Sequence, residues 1–579
     1  MSSIYDKSSL VLIPSGTKTS KVYSQKPTNG DGDFTFSRST AATRVNASGN
    51  IEKETQNLLL QSNSFNTTWT NSGTAETGGQ SGYDGSNDAW LITKSASDGY
   101  IYQYISQSGV QCVSVYAKAN ALGGIQIYVN AGTTRYQSFN LTNGTLIGSG
   151  NGIDAKIESV GNGWYRCSMS FNDTITRVRF YPMTDAGDKT TTSGSIYIQD
   201  AQLEQGLVAR DYIETTTTAI YGGITDNVPR LDYTDSSCPA LLLEPQRTNL
   251  YQHSEYIFNF QGTETFNAAV SPEGVSNAVL LTKTSASDQF VNMSWSGSSL
   301  SASTDYTMSL FVKHNGDDVD VRYEYNNSND WGKGWNALFQ VRASGVTAST
   351  TNLCTSDVED YGNGWYRILV FVETASSITP SSPSNLLRVI GASGDDVLVY
   401  GAGMEQGSYA TSYIPTYGSA VTRNLDTCLD AGDNEVINST QGTIYGEQKS
   451  LEASFSYNYF ATISDGTNNN RLEIRQSGTS LQFLYRIGGA YQNNIALNSA
   501  PFSSALKYAL RYSSTDIKLY VNGSLVGTIN SPTLYNSGTL NNLQFAEGSG
   551  GNNFRGLVHN CMYFPTALTD QEMIDLTTI

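Results

Sequence analysis

Apolar and polar residues alternate along most of this chain. Val113, Val115 and Ala117 fall on one side of a two-residue period, and Ser114, Tyr116 and Lys118 on the other. Ile125, Ile127 and Val129 alternate with Gln126 and Tyr128, while Tyr165, Cys167, Met169 and Phe171 alternate with Arg166, Ser168 and Ser170. A period of two means strands with one buried face, and Cys167 is expected to point inward. Gly, Asn, Asp and Ser punctuate these short runs, the pattern of antiparallel sandwiches and, most simply, jelly rolls. Farther on, Leu519 and Val521 precede Asn522-Gly523, and Leu525 and Val526 follow it. An Asn-Gly pair between alternating apolar residues predicts a hairpin. Phe554–Leu576 reads as a strand and then a short helix, which Thr569 and Glu572 would start near Asp570 as a capping box.

The pattern occurs twice. "GNGWYR" stands at Gly161–Arg166 and again at Gly362–Arg367. "LEQG" (Leu203–Gly206) matches "MEQG" (Met404–Gly407), and "VSVYAK" (Val113–Lys118) matches "MSLFVK" (Met308–Lys313). "LITKSASD" (Leu91–Asp98) matches "LLTKTSASD" (Leu280–Asp288), and "NLLLQSNSF" (Asn57–Phe65) matches "NLYQHSEYI" (Asn249–Ile257). Order is preserved, so the chain holds a tandem duplication. The hexapeptide itself reads as a hairpin turn with a Trp covering one end of the core, or as a Trp platform for a sugar ring. Packing residues should persist between copies and recognition residues should diverge, which favours the first. Arg44, Arg230 and Arg423 each stand at the start of a new unit; a repeated inter-domain contact and a repeated strand start both fit.

Composition narrows the class. With 579 residues, several domains are expected. Charged residues make up only 15%, and helix-forming runs are nearly absent. A formal charge of −18 without a basic cluster argues against nucleic-acid partners and anionic membranes. No run reaches the length of a membrane helix, and the opening residues lack the make-up of a signal peptide. The six cysteines (Cys112, Cys167, Cys238, Cys354, Cys428, Cys561) are scattered and expected as buried thiols. His253, His314 and His559 carry no ligand-like spacing, and no nucleophile elbow or phosphate loop appears. Glu204 and Glu405 recur once per copy and read as structural acceptors or cation ligands rather than as a catalytic pair. The chain is not expected to be an enzyme.

Two stretches resemble known families. "LYVNGSLVG" followed by "FRGLVHNCMYFPTALTDQEM" resembles the laminin-G/concanavalin-A-like lectin sandwich over about residues 440–579. The duplicated module, with "LLLEPQRTNLYQHSE" (Leu241–Glu255), "GNGWYR" and "MEQG", resembles the carbohydrate-binding-module-like jelly rolls of tailed-bacteriophage virion proteins, and the opening "SIYDKSSLVLIPSGTKTSKVYSQKPTNGDGDFTFSRSTAATRV" (Ser3–Val45) resembles their leader. The resemblance implies an all-β protein: an N-terminal virion-anchoring segment (1–50), jelly-roll module 1 (51–220), a linker with jelly-roll module 2 (221–425), and a concanavalin-like sandwich (426–579). It implies a fibre or decoration protein of the virion, assembled in the host cytoplasm, contacting other virion proteins and host-surface glycans, and forming a homo-oligomer. A purely architectural virion protein and a polysaccharide depolymerase are the alternatives.

Sugar binding calls for an aromatic face beside planar polar groups. "YEYNNSNDWGKGW" (Tyr323–Trp335) offers Trp331 and Trp335 with Asn326, Asn327, Asn329 and Asp330 adjacent, and the first copy has no such Trp pair. In the lectin-like part Tyr485 and Tyr491 beside Asn493 and Asn494 are a second candidate, with plain strand packing as the other reading. The lectin resemblance also implies a possible Ca²⁺, for which Asp465, Asn468 and Asn470 of "SDGTNNNR" offer oxygen ligands; an Asp-Gly turn explains them equally.

Overall fold

A computed structural model describes residues 4–295, 300–326, 329–379 and 384–578. The chain is all-β, with one α-helix, Asp570–Thr577, and one 3-10 turn, Ile4–Lys7, among the described residues. It divides into two compact units. One gathers the residues up to Lys53, Ile224–Arg247 and Thr422 onward; the other gathers Glu54–Gly223 and Thr248–Val421.

The second unit contains both copies of the repeat, each an antiparallel sandwich. In the first copy one sheet runs Asp154–Gly161, Trp164–Asn172, Val110–Ala119, Ser195–Gln205, Ala89–Lys94, Thr74–Gln80. In the second copy the corresponding order is Thr355–Asp360, Trp365–Glu373, Asp305–His314, Asp396–Gln406, Ala278–Thr282, Thr263–Ala269. The facing sheets also match. The first is Thr145–Ile147, Arg135–Asn140, Gly124–Ala131, Ile175–Met183, Tyr100–Gln107, Thr70–Ser72; the second is Gly345–Asn352, Trp335–Arg342, Val319–Tyr325, Ser384–Ile390, Gln289–Ser294. The cores use the faces that the alternation marks: Val113, Val115, Ala117, Cys167, Met169 and Phe171 in one copy, Met308, Leu310, Val312, Ile368 and Val370 in the other.

The repeated polar residues hold the same joints in both copies. The Asn57 side-chain amide donates to the carbonyls of Ala201 and Ile213, and its oxygen accepts from the amides of Leu59 and Leu203. Asn249 repeats this with Ala402, Ile414, Tyr251 and Met404. Ser62 pairs with Tyr212 and caps the Thr215 amide; Ser254 does so with Tyr413 and Thr416. Glu204 and Glu405 accept the amides of Arg210 and Thr411, six residues on, closing the turn after each long strand. Between the copies, Arg210 forms an ion pair with Glu273, and the amide of Val110 donates to the Tyr417 carbonyl at 2.8 Å. Gly109, at φ +95°, makes that approach possible, because a Cβ there would stand 1.7 Å from the Tyr417 oxygen.

The other unit is a sandwich of the residues expected at 426–579 plus two earlier passes of the chain. Its larger sheet runs Arg230–Asp232, Ala240–Leu243, Gly556–Phe564, Gly442–Ser450, Leu506–Tyr512, Asp516–Val521, Ser524–Asn530, and Leu10–Leu12 pairs with Gly556–Phe564. A five-stranded sheet, Ala490–Leu497, Ser480–Ile487, Arg471–Gly478, Phe455–Ser464, Asn542–Gln544, faces it. Residues 1–50, expected as a separate segment, therefore belong to this sandwich. Leu10, Leu12, Val22, Phe34 and Phe36 are fully buried in its core, and Thr35 between the two phenylalanines is exposed. The expected boundaries at 220/221 and 425/426 lie near junctions between units, but 224–247 belongs with the C-terminal sandwich. The Asn522-Gly523 hairpin and the Thr569/Glu572 capping box form as the sequence predicts.

One buried ion cluster ties the three passes. Arg38 comes from the first, Arg230 and Glu244 from the second, Arg423 and Asp426 from the third. Asp426 meets Arg38 at 3.0 Å and also Arg230; Glu244 meets Arg230 at 2.5 Å and Arg423 at 2.8 Å. Backbone carbonyls of Thr40, Thr225, Val228, Thr43 and Pro245 accept further guanidinium donors. Burial first, then the neighbouring Arg230 and Arg423, pull the Arg38 pKa down to about 10 against the opposing pull of Asp426. Arg230 and Arg423 thus share one internal contact, while Arg44 pairs with Glu52 in a short hairpin at 2.8 Å and takes no part. Of the thiols, Cys112, Cys167, Cys428 and Cys561 are buried as expected, Cys354 is half-buried, and Cys238 is exposed.

Asp426→Ala should cost this unit about 3–5 kcal/mol, because it strands the buried Arg38 guanidinium and leaves Arg230 with Glu244 alone. Chemical denaturation of the full chain, followed by protease sensitivity of residues 1–53, measures it; a loss under about 1 kcal/mol would show that the cluster does not fasten the passes.

Candidate functional site

The two copies carry identical joints, so a site is best sought where they differ. The outward face of the first copy's sheet that holds Tyr100–Gln107, Gly124–Ala131 and Ile175–Met183 is built from strands whose inward residues fill the core. Ile101 and Gln103 point in, which turns Tyr100, Tyr102 and Tyr104 out; Val178 and Phe180 point in, which turns Arg177, Arg179 and Tyr181 out. Gly124–Ala131 adds Gln126, Tyr128 and Asn130 on the same side. The ladder sets Tyr102 and Tyr128 on either side of Arg179, and Tyr104 and Asn130 on either side of Arg177.

These side chains form one continuous surface. The rings of Tyr100 and Tyr181 lie 4.7 Å apart, Tyr100 and Tyr102 5.6 Å, Tyr102 and Tyr104 5.3 Å, and Tyr128 and Tyr181 5.7 Å. The Arg177 guanidinium sits 4.4 Å from the Tyr104 ring, and that of Arg179 4.7 Å from the Tyr100 ring. Their hydrogen bonds go to phenol oxygens, from Arg177 to Tyr104 at 3.1 Å and from Arg179 to Tyr181 at 3.0 Å. The Lys189 ammonium lies 4.9 Å from the Tyr181 ring and donates to the Gln126 oxygen at 3.4 Å. Tyr104 keeps 63% of its surface exposed. Burial raises the Tyr181 phenol above its ordinary range, so it stays protonated at neutral pH. The surface can offer ring faces for C–H stacking and fixed donors for hydroxyl or acidic oxygens. None of these residues was singled out from sequence, although "YIYQY" (Tyr100–Tyr104), with Tyr at every second position opposite a core face, carries the signal.

The residues singled out from sequence lie elsewhere. Trp331 and Trp335 are fully buried in the core of the second copy, 5.2 Å apart, and the Trp331 indole donates to Asn385 at 3.1 Å. They are core residues because Trp335 opens a strand whose inward residues are Trp335, Ala337, Phe339 and Val341. Asp330 is buried, its carboxylate held by the Tyr325 hydroxyl. Asn329 is half-buried at the same turn, its carbonyl accepting the Gly332 amide, and Asn327 lies outside the described residues. Tyr485 is also in a core, stacked 5.8 Å from Phe483. Tyr491 stays exposed and donates to Asn494 at 2.7 Å.

The oxygens proposed for Ca²⁺ take part in hydrogen bonds within and beside their loop. Asp465 accepts from Thr467 and Asn470, Asn468 accepts the Ser549 amide, and Asn470 accepts the Gly488 amide. They form turns, and among the described residues no group of three His, Cys, Asp or Glu is placed to hold a metal. A cleft of about 260 Å³ in the second copy is lined by His253, Tyr256, Phe258, Asn292 and Ser294. Tyr256 and Phe258 stack on each other at 4.5 Å, with the His253 ring edge-on, so their faces are largely taken up.

The repeated hexapeptide is a structural device. Asn162 and Gly163 take φ of +52° and +77°, and Asn363 and Gly364 +53° and +77°. Trp164 and Trp365 are both buried, each opposite a lysine, Lys118 and Lys313. They differ from expectation in covering the outer side of the sheet they belong to rather than an end of the core. Trp164 lies there with Tyr116 and Ala89, and Tyr83 stacks on Tyr116 at 3.9 Å. Beside them Asp200 accepts from the Tyr83 hydroxyl at 2.9 Å, and burial raises its pKa to about 7.

Residues 446–573 match the family model of the Concanavalin A-like lectin/glucanases superfamily (Laminin_G_3). No curated protein sequence matches the chain. Among solved structures, the chain is similar to the CBM40 of the Ruminococcus gnavus IT-sialidase bound to α2,3-sialyllactose, at 18% identity and TM-score 0.22, covering 24% of this chain and 83% of that one. It is similar to the CBM22-1–CBM22-2 tandem of Paenibacillus barcinonensis Xyn10C at 11% identity and TM-score 0.21, covering 61% and 97%. It is similar to domains LG4-5 of mouse laminin α1 at 11% identity and TM-score 0.18, covering 50% and 93%. Likenesses at this level say nothing about ligands.

Two outcomes are expected. Trp331→Ala should destabilise the second copy by about 3–5 kcal/mol, read by denaturant unfolding, as removal of a core aromatic does. Asp200 has a pKa raised by folding, so its contribution to stability is complete below its unfolded value of 3.8 and is lost as pH rises through about 7. Between those values stability should fall by up to ~1.4 kcal/mol per pH unit from this group. Asp200→Asn, which tolerates the positive φ and keeps the bond to Tyr83, should remove that slope in melts taken from pH 4 to about 8.

Proposed function

We propose that this is a glycan-binding protein whose principal site is the outward tyrosine–arginine face of the first jelly-roll copy. The observation that carries the reading is that face: five tyrosines and two arginines form a continuous surface on a rigid sheet, with Gln126 and Asn130 beside them as planar amide groups. Such a surface suits a polysaccharide chain, which presents flat C–H patches and rims of hydroxyls. The lectin-superfamily match of residues 446–573 supports the same class of ligand from another part of the chain. Binding through exposed rings is weak per site, on the order of 1 kcal/mol each, and many copies on one surface would multiply it.

The setting we propose is the surface of a tailed-bacteriophage particle, as a fibre or decoration protein that holds the particle to host or environmental glycans. The resemblance of the duplicated module and of the "LLLEPQRTNL" run to such proteins supports it. The buried free thiols suit assembly in a reducing cytoplasm. Contacts with other virion proteins and a homo-oligomeric state belong to this proposal.

A glycan array with the full-length chain tests the function. Binding is expected, and Tyr102→Ala and Tyr104→Ala should each weaken it about five- to tenfold without changing the melting temperature. Silence across the array, or binding indifferent to both substitutions, would overturn this site. Immunogold electron microscopy of particles from producing cells tests the setting: label confined to the soluble fraction would remove the virion reading and leave glycan binding untouched.

A further inference from the structure

We infer that the glycan taken by the first copy's tyrosine–arginine face is acidic, a polysaccharide bearing carboxylate or sulfate groups. The inference rests on the reading of that face as a glycan site and adds the ligand's charge.

The argument is a comparison between two copies of one fold. On the corresponding face of the second copy every arginine has a carboxylate. Arg322 meets Asp288 at 3.2 Å and Glu324 at 2.8 Å, Arg342 meets Asp320 at 2.6 Å, and Arg388 pairs with Glu324. That face is neutralised from within. On the first copy's face the strands supply no Asp or Glu on the outward side, and among the described residues Arg177, Arg179 and Lys189 make no ion pair. Their partners are tyrosine rings, phenol oxygens and an amide oxygen, all neutral. Three cations therefore stand together with no acid in ion-pair contact, Asp98 and Asp188 flanking Lys189 without pairing to it, in a chain that carries 52 acidic residues against 34 basic ones. A structural arginine in this fold takes a carboxylate where one is needed, as the second copy shows. The first copy leaves the place open for an anion from outside.

The rings hold the guanidinium groups in fixed positions, so little ordering is needed to meet a carboxylate. The chain's net charge does not forbid this. At physiological ionic strength the Debye length is about 8 Å, and beyond it the remaining acids are largely screened from the ligand. Three cations are too few to hold a nucleic acid, which needs a run of phosphate contacts. A chain that carries acids and flat C–H faces offers anions to the cations and apolar patches to the rings.

Affinity gel electrophoresis of the full-length chain tests the inference, with polygalacturonate, alginate and chondroitin sulfate as acidic probes and methyl-esterified polygalacturonate and dextran as neutral ones. Retardation by at least one acidic polymer is expected, with the methyl ester at least tenfold weaker than its parent acid where polygalacturonate is the one bound. The double variant Arg177→Gln/Arg179→Gln should lose about tenfold toward the acidic polymer. Its melting curve should match the parent, which separates lost recognition from lost folding. Equal binding of acid and ester, or the acidic polymer binding the double variant undiminished, would overturn the acidic ligand and leave glycan binding standing. If no polymer of either kind binds here and the array is silent as well, both readings fall.

Discussion

The sandwich that closes the chain depends on a buried knot of three arginines and two acids. Residues 54–223 and 248–421 are inserted between its pieces, so this unit is assembled from three passes separated by 170 or more residues. Hydrophobic burial alone does not say which pass goes where, since any apolar strand edge will serve. Arg38, Arg230 and Arg423 do say so, because each must find Asp426 or Glu244 or remain a bare charge in the interior. Two acids do not balance three cations, and the backbone carbonyls of Thr225, Val228 and Pro245 take up the difference. Net stabilisation from such a cluster is modest, but the penalty for a wrong arrangement is large, and that asymmetry makes it a device for selecting one assembly.

The inserts are suited to such a position. The first enters and leaves through one antiparallel pair, Ile220–Gly222 against Thr55–Asn57, so its ends lie together and a loop of the host sandwich can accept it. Asn57 then reaches from that pair to Ala201 and Ile213, and Asn249 makes the same bonds in the second copy. The residues that persisted through the duplication are those that join the entry strand to the exit strand or shape the hairpins. Their repetition reflects a shared folding problem, not a shared ligand.

Much of this was legible in the chain itself. Period-two alternation placed the inward faces of both copies, including Cys167, and the Asn-Gly and Thr-x-x-Glu signals placed a hairpin and a helix start because their causes are local. The burial of Trp331 and Trp335 was legible in part: Ala337, Phe339 and Val341 continue the alternation backward to Trp335, but the Gly-Lys-Gly between the tryptophans looks like an exposed tip. Only the packing of that turn against Ala375 and Ser377 shows otherwise. Tyr485 misled for the opposite reason, since its strand is buried on one face and aromatic content alone does not tell which. The ion cluster joins Arg38 to Asp426 across 388 positions, a distance over which no pattern in one sequence carries information. Arg44, which the repeat of arginines brought forward, is a near neighbour of the residue that does the work.

Duplication supplies a further step. Two copies with the same joints and strand order can vary on their outward faces without altering the fold, because those side chains touch little of the core. The second copy has spent that freedom on internal ion pairs, which stiffen a surface and leave it nothing to offer a charged partner. The first has the amides Gln126 and Asn130 where the second has Asp320 and Glu324, and its arginines lie against tyrosine rings, so they are supported by neutral groups and make no ion pair. Both choices are stable, since cation–ring contacts and exposed ion pairs are each worth on the order of 1 kcal/mol or less. Stability therefore does not account for the difference between the faces. What separates them is the potential each presents to solvent, and a difference of that kind has consequences only for something that binds.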